Sequence, residues 1–336
     1  MIKNIELHIN SVCNYKCDYC FLDDSTDGRF TRWDDLKRFL SADTTKLNYL
    51  VDVNLTSGEL SLFPELVRKA ITEIRKVERY KDVTFRFGLY SNGSRCDNLK
   101  SLMDEGLLTP ELVEISWDGS NSSAVRKSKD KKFYPIPIMQ MSGYKYNDRI
   151  VYRSALTENL MDNIEETFSE FSMWETYNWE YYLLIKYKKY LKNDFLRKFH
   201  KFFSFVLDHC NVVDVYNINT LYDAYVRGKS ICKNWCGDNS KSRIYIDSQG
   251  LVYPCGFFTD KTRFAHKEFT SFDISDTCDM DHISNSVSTI CSNGICKSAY
   301  CDIKHCSRCN NIEDKCYIGK LRKIERDVFL DYIRLQ

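Results

Sequence analysis

Ile5-Glu6-Leu7-His8-Ile9-Asn10-Ser11-Val12-Cys13-Asn14-Tyr15-Lys16-Cys17-Asp18-Tyr19-Cys20 is the stretch on which the reading of this chain turns. Ile5, Leu7 and Ile9 alternate as a strand does when one face is buried. Three cysteines follow at once in a C-x3-C-x2-C spacing. Close-set thiolates of this kind hold iron–sulfur clusters, and a cubane of four irons normally takes four of them. The triplet supplies one fewer, so one iron would stay open to bind and reduce an outside molecule. Zinc also uses Cys pairs two residues apart, and a disulfide is the remaining alternative.

Outward from the triplet, strands alternate with amphipathic helices for about two hundred residues. Thr31 followed three residues later by Asp34 marks a helix start, and Trp33, Leu36, Phe39 and Leu40 form its apolar stripe. Tyr49, Val51, Val53 and Leu55 alternate as a strand, and Pro64 opens a helix with Leu66, Val67, Ala70, Ile71 and Ile74 on one face. Further strands are expected over 83–90, 112–117, 149–156 and 179–185. Helices are expected over 99–105 and 196–210, and through Met161, Ile164, Phe168 and Phe171. Such an order implies parallel strands with helical crossovers, whose loops line one rim where sites are assembled. The Lys-rich stretch 120–148, with Pro135 and Pro137, fits this pattern least. From about residue 212 the pattern breaks up into a hairpin around Asp247-Ser-Gln-Gly250, a cysteine-rich run, and a helical repeat of Leu321, Ile324, Val328, Phe329 and Ile333.

Composition narrows the function classes. The 336 residues are 43% hydrophobic, enough for a core domain and a smaller one. The 48 basic and 47 acidic residues leave a net charge of +1, so no global field favours nucleic acid or an anionic membrane. No basic-then-apolar leader opens the sequence, and no apolar run nears the roughly 18 residues of a membrane span. A soluble cytoplasmic protein is expected, with neither nucleic acid nor membrane as partner. Of fifteen cysteines, three lie in the first 95 residues and eleven after residue 205. A long chain without a signal peptide is no secreted disulfide scaffold, so thiolates kept for metal are expected.

With its preceding strand and the aromatic Phe21 behind it, the triplet resembles the signature of the radical S-adenosylmethionine (SAM) enzymes. The resemblance implies that Cys13, Cys17 and Cys20 hold a 4Fe-4S cluster whose open iron chelates the methionine moiety of SAM. One electron then cleaves the sulfonium, and the 5′-deoxyadenosyl radical so formed abstracts a hydrogen atom from substrate. It also implies the fold, an α/β partial (β/α)6 TIM-type barrel over residues 1–211. A small cysteine-rich α+β auxiliary-cluster domain would follow over 212–336.

Other turns match the family in order. Thr56-Ser57-Gly58-Glu59 resembles its Gly-Gly-Glu turn, which binds the methionine amino group, with Ser57 in place of the first glycine. Tyr90-Ser91-Asn92-Gly93 resembles the turn after strand three, and Ser116-Trp117-Asp118-Gly119 the Ser-x-Asp-Gly turn after strand four. In that resemblance Asn92 stands in the cofactor site, Ser116 and Asp118 approach the ribose or methionine part of SAM, and Arg153 pairs with its carboxylate, for which an Arg fork is suited. From the residues alone, Asn92 and Asp118 read equally as Asx-type turns and Arg153 as a surface ion pair.

The later cysteines resemble the SPASM extension, which holds two auxiliary clusters, or its shorter Twitch form, which holds one. Cys232 and Cys236 with the Cys255 of Gly250-x4-Cys would serve the first, and Cys306, Cys309 and Cys316 the second. Cys291, Cys296 or Cys301 would supply remaining positions. Six residues rather than five separate Cys309 from Cys316, and Lys320 stands where a further cysteine is usual. Zinc is the alternative for this half. Cys96 and Cys210 read as isolated core residues.

Members with such an extension most often modify a ribosomally made peptide, by crosslinking or epimerisation, and a peptide substrate is the leading expectation. An electron donor such as flavodoxin or ferredoxin is implied, and either a separate protein or the rim itself would recognise the leader. In formylglycine-forming relatives an Asp follows the Gly-x4-Cys cysteine, where this chain has Gly256, which argues against sulfatase maturation. The alternative is a dehydrogenase or epimerase of a small molecule of the aminoglycoside type. A zinc-binding interaction module is a third class. The aromatic run Trp174, Tyr177, Trp179, Tyr181 and Tyr182 reads either as core or as the wall of a peptide groove.

Overall fold

Ile2, Ile5, Leu7 and Ile9 are all buried along β1 (Ile2–Asn10), the strand foreshadowed by the alternation before the cysteines. The computed structural model describes residues 1–20, 29–43, 45–79, 81–130, 134–182, 193–227, 243–253, 272–275 and 317–335. A short strand, β2 (Tyr15–Cys17), follows the first cysteine. Next, α1 (Trp33–Ser41) buries Trp33, Leu36, Phe39 and Leu40. Its start departs from expectation, because Arg32 rather than Thr31 stands at the N-cap. The Arg32 guanidinium binds Asp35 and makes a two-pronged bond to Asp273.

Two strand–helix pairs come next. The first is β3 (Leu47–Ser57), which buries Val51, Val53 and Leu55, with α2 (Pro64–Arg75), which packs Val67, Ala70, Ile71 and Ile74. Pro64 sits in the first turn of α2, where its missing N–H costs nothing. The second pair is β4 (Thr84–Ser91) and α3 (Cys96–Asp104). The next strand, β5 (Val113–Ser116), precedes the stretch that pattern alone left unassigned. That stretch holds β6 (Arg126–Ser128) and α4 (Pro137–Met141), elements too short for a period to register.

Beyond β7 (Val151–Ala155), the single helix expected is two, α5 (Glu158–Asp162) and α6 (Ile164–Met173). Thr157 caps α5 by accepting the Leu160 N–H at 3.2 Å. The break falls at Asn163, whose side-chain amide donates to the Asn159 carbonyl at 2.8 Å and so competes with the helix ladder. The strand β8 (Asn178–Tyr182) and helix α7 (Asn193–Asp208) match expectation. Neither β9 (Asp214–Val215) nor α8 (Tyr216–Tyr225) was legible, the one for its length and the other for its polar, Asn- and Tyr-rich sequence. The hairpin expected near Gly250 is β10 (Arg243–Ile246) and β11 (Leu251–Tyr253), with Gly250 at φ +84° in its turn. The described residues close with β12 (Phe272–Asp273) and the helix Tyr317–Leu335.

These elements form two compact units. One is Met1–Asn14, Phe21–Glu114 and Gly237–Ile295; the other is Tyr15–Cys20, Ile115–Cys236 and Cys296–Gln336. In the first, strands lie in the order β12-β11-β10-β1-β3-β4. There β10, β1, β3 and β4 run parallel, while β11 and β12 add on antiparallel. In the second, β7, β8 and β9 lie in that order and run parallel, beside an antiparallel β2–β6 pair, and the division between the units falls within β5. Both are mostly parallel α/β sheets with helical crossovers.

The second unit has an aromatic core. Phe171 meets Trp117 at 5.4 Å and Trp179 at 5.3 Å between ring centroids, and Phe168 meets Trp179 edge-on at 5.6 Å. Trp179 and Tyr181 are therefore core residues, whereas Tyr177 is exposed. The Tyr181 hydroxyl donates to the buried Glu325 at 2.5 Å and fastens the helix Tyr317–Leu335. Among the described residues, no helix is long and apolar enough to cross a membrane. Cys232, Cys236, Cys255, Cys291, Cys296, Cys301, Cys306, Cys309 and Cys316 lie outside the described residues, as does Phe21.

Candidate functional site

In the first unit, the segment leading into Cys13 is knitted to the end of β3 by backbone. Gly58 N–H donates to the Asn10 carbonyl at 3.0 Å, and Glu59 N–H to that of Val12 at 2.8 Å. Approach this close needs a residue without Cβ, since one built on Gly58 would sit 2.1 Å from the Val12 oxygen. Ser57 pairs with Asn10 through the β1–β3 ladder.

Glu59 is fully buried, and its carboxylate accepts from Ser61 N–H at 2.9 Å, Ser91 Oγ–H at 2.7 Å and the Asn92 N–H. Burial pushes its pKa above the usual range, against the pull of these donors. The carboxylate expected to meet the methionine amino group is thus a clamp between the turns after β3 and β4. That clamp aims Asn92, whose side-chain amide donates to Asn14 Oδ1 at 2.9 Å and lies 3.7 Å from Cys13 Sγ. Glu59, Asn92 and Cys13 are therefore brought into one connected network.

In the second unit the knot is Asp118, which is completely buried just past β5. One carboxylate oxygen accepts from Ala155 N–H at 2.7 Å; the other accepts from Arg126 Nε at 2.8 Å and from the Tyr19 hydroxyl. Burial disfavours the charged form of Arg126, but Asp118 and then Tyr19 and Cys17 hold its pKa well above the ordinary value. Burial likewise raises Tyr19 and Tyr182, with Asp118 adding to both. Ser116 is half-buried at the end of β5. Arg153 ion-pairs with Glu180 at 3.1 Å and lies over the Tyr182 ring at 5.3 Å. Asp118 and Arg153 both have protein partners in these positions.

Sequence reasoning missed Arg126 and Tyr19. Arg126 lies in the stretch without a readable period, and Tyr19 lies inside the triplet, where the cysteine spacing alone carries the signal. Cys13 belongs to the first unit, Cys17 and Cys20 to the second. Among the described residues, no three His, Cys, Asp or Glu side chains converge as a ready-made ion cage. The surroundings of Cys13 nevertheless fit an iron–sulfur group. The buried side-chain amide nitrogens of Asn10 and Asn14 have no hydrogen-bond partner among the described residues, and such donors suit thiolate and sulfide acceptors. The Gly58 contact fixes the backbone beside them.

Residues 7–140 match the family model of the Radical SAM superfamily. The match spans the cysteine triplet and the turns after β3, β4 and β5. Solved structures agree over more of the chain. A hexahistidine-tagged anSMEcpe structure with bound AdoMet aligns with TM-score 0.69 at 16% identity, covering 99% of this chain and 98% of that one. Native anSMEcpe with bound AdoMet and a Kp18Cys peptide aligns at TM-score 0.63 and 20% identity, over 84% and 82%. SuiB of Streptococcus suis bound to S-adenosylmethionine aligns at 0.56 and 13%, over 86% and 68%. At such identities the likeness establishes the fold, that of the radical SAM partial barrel. No curated protein is significantly similar in sequence.

Proposed function

We propose that this chain is a radical SAM enzyme acting on a ribosomally made peptide. The observation that carries the reading is the family match over residues 7–140, which coincides with the triplet and with the turns holding Gly58, Glu59, Asn92 and Asp118. Cys13, Cys17 and Cys20 would hold the cluster, with Ser57, Gly58 and Ser116 lining the site for SAM. When bound, the cluster and SAM supply one electron and a cleavable sulfonium, and so a hydrogen-abstracting radical.

The chain's own residues do the positioning. Glu59 sets the turn that aims Asn92 at Cys13, and Gly58 admits the backbone contact that shapes the loop. Asp118 and Arg153, held by protein partners, would orient the strand ends facing SAM. Peptide as substrate is supported by two similar structures, anSMEcpe with a Kp18Cys peptide and SuiB with its precursor peptide SuiA. Cysteines of residues 232–316 would hold one or two auxiliary clusters able to take an electron from the substrate radical. A cytoplasmic setting with a flavodoxin- or ferredoxin-like donor, and a separate leader-binding protein, completes the proposal.

The test is release of 5′-deoxyadenosine from SAM by anaerobically reconstituted protein under reduction, with Cys17→Ala as control. A mass change on a peptide encoded beside the gene would follow. Zinc in place of iron, or no nucleoside release, would refute the reading.

A further inference from the structure

Within the second unit, β2 and β6 pair antiparallel with Cys17 directly opposite Arg126, and the Asp18 N–H donates to the Val125 carbonyl at 3.0 Å. Opposed residues of an antiparallel pair project on the same face, with Cβ atoms about 5 Å apart. The thiol of Cys17 and the guanidinium of Arg126 are thus neighbours. Arg126 is held from two sides: Asp118 takes its Nε–H at 2.8 Å, and the Tyr19 ring lies 5.9 Å from its central carbon. Its side chain is only 9% exposed.

A guanidinium carries a fan of five N–H donors. Here only Nε is spent, and the terminal nitrogens have no acceptor among the described residues. Asp118 does not cancel the charge at that edge. It sits at the Nε end and shares its own charge with Ala155 N–H and the Tyr19 hydroxyl. The terminal edge presents unspent donors and a positive charge beside a cysteine of the triplet.

We infer that Arg126 donates to the sulfur of Cys17 when that thiolate is metal-bound and thereby sets the reduction potential of the cluster. The inference rests on the radical SAM reading. Reduction adds negative charge to a group that already carries thiolates. A fixed cation and N–H···S bonds at one of them stabilise the reduced form and raise the potential. Arg126 is a positioning residue in this sense, acting through Cys17.

The experiment is an anaerobic potentiometric titration of reconstituted full-length protein, followed by electron paramagnetic resonance, in wild type, Arg126→Gln, Arg126→Lys and Lys127→Gln. At the potential that half-reduces the wild-type cluster, the reduced-to-oxidised ratio of Arg126→Gln should fall about tenfold. Arg126→Lys should fall less, because the ammonium keeps the positive charge although it cannot serve Asp118 and sulfur with one planar fork. Lys127→Gln removes an exposed cation one residue away and should leave the ratio unchanged. Full iron content with an unchanged midpoint in Arg126→Gln, or an equal shift in Lys127→Gln, would overturn the inference. Should Arg126→Gln fail to take up iron, the Arg126→Lys midpoint decides in the same way, a fall supporting the inference and no change overturning it. Wild-type protein that binds no iron would instead sink the radical SAM reading.

Discussion

Gly58 lies so close to Val12 that any side chain on it would collide with backbone, 2.1 Å from the carbonyl oxygen and 2.4 Å from the carbonyl carbon. Backbone cannot rotate aside as a flexible side chain can. Gly58→Ala should therefore push the loop carrying Cys13 away from β3, at a cost of about 1–3 kcal/mol. Urea unfolding reads that loss. Iron uptake should fall more steeply than stability does, because the displaced segment carries the first cysteine. Wild-type values for both would show that the close approach is not needed.

Much of this was legible beforehand. The strand around Val51, Val53 and Leu55 and the helix from Pro64 follow from period alone, because in each the apolar residues recur on one face. Gly58 and Glu59 could be located but not explained, since what they do depends on Val12 and Asn92, far off in sequence. Arg126 could not be found at all. It sits on a three-residue strand, and its importance comes from Cys17 opposite and Asp118 beneath. Local pattern encodes elements well, whereas a buried charge is defined by partners that only the folded chain assembles.

Glu59→Gln should expose the clamp. Two carboxylate oxygens accept three donors, and an amide presents an N–H group to at least one of them, for a cost of about 1–3 kcal/mol. Its pH dependence has a definite sign. Burial raises the folded-state pKa above the usual carboxylate value near 4.5. The contribution of Glu59 is therefore fully present below that value and is lost as pH rises through the folded pKa. The gap between wild type and Glu59→Gln should narrow as pH rises, in paired urea titrations. A gap that widens with pH contradicts the assigned burial effect.

His8 gives the opposite slope. Its ring nitrogens lie 3.0 Å from the Tyr245 hydroxyl and 2.9 Å from Ser11 Oγ, and burial pushes its pKa down to about 4. Below its ordinary value of 6.5, the unfolded chain takes up a proton that the folded chain refuses until about pH 4. Stability present above pH 6.5 is lost across that window, by about 3 kcal/mol. His8→Gln should remove that share of the acid sensitivity, read as the difference in unfolding free energy between about pH 7 and pH 4. A variant as acid-sensitive as wild type would mean that His8 titrates normally.

Asp118→Ala should be the most damaging substitution outside the cysteines. It strips the carboxylate from a buried guanidinium and leaves the Ala155 N–H and the Tyr19 hydroxyl without their acceptor. Removing one partner of a buried ion pair costs about 3–5 kcal/mol, chiefly the penalty of an uncompensated charge. The charge and not the volume is at fault, so the double variant Asp118→Ala with Arg126→Met should recover part of the loss. In a double-mutant cycle by thermal or urea unfolding, the two substitutions should therefore be strongly non-additive. Additive losses would mean that Asp118 and Arg126 contribute independently, and that the knot beneath Cys17 is not held by their pairing.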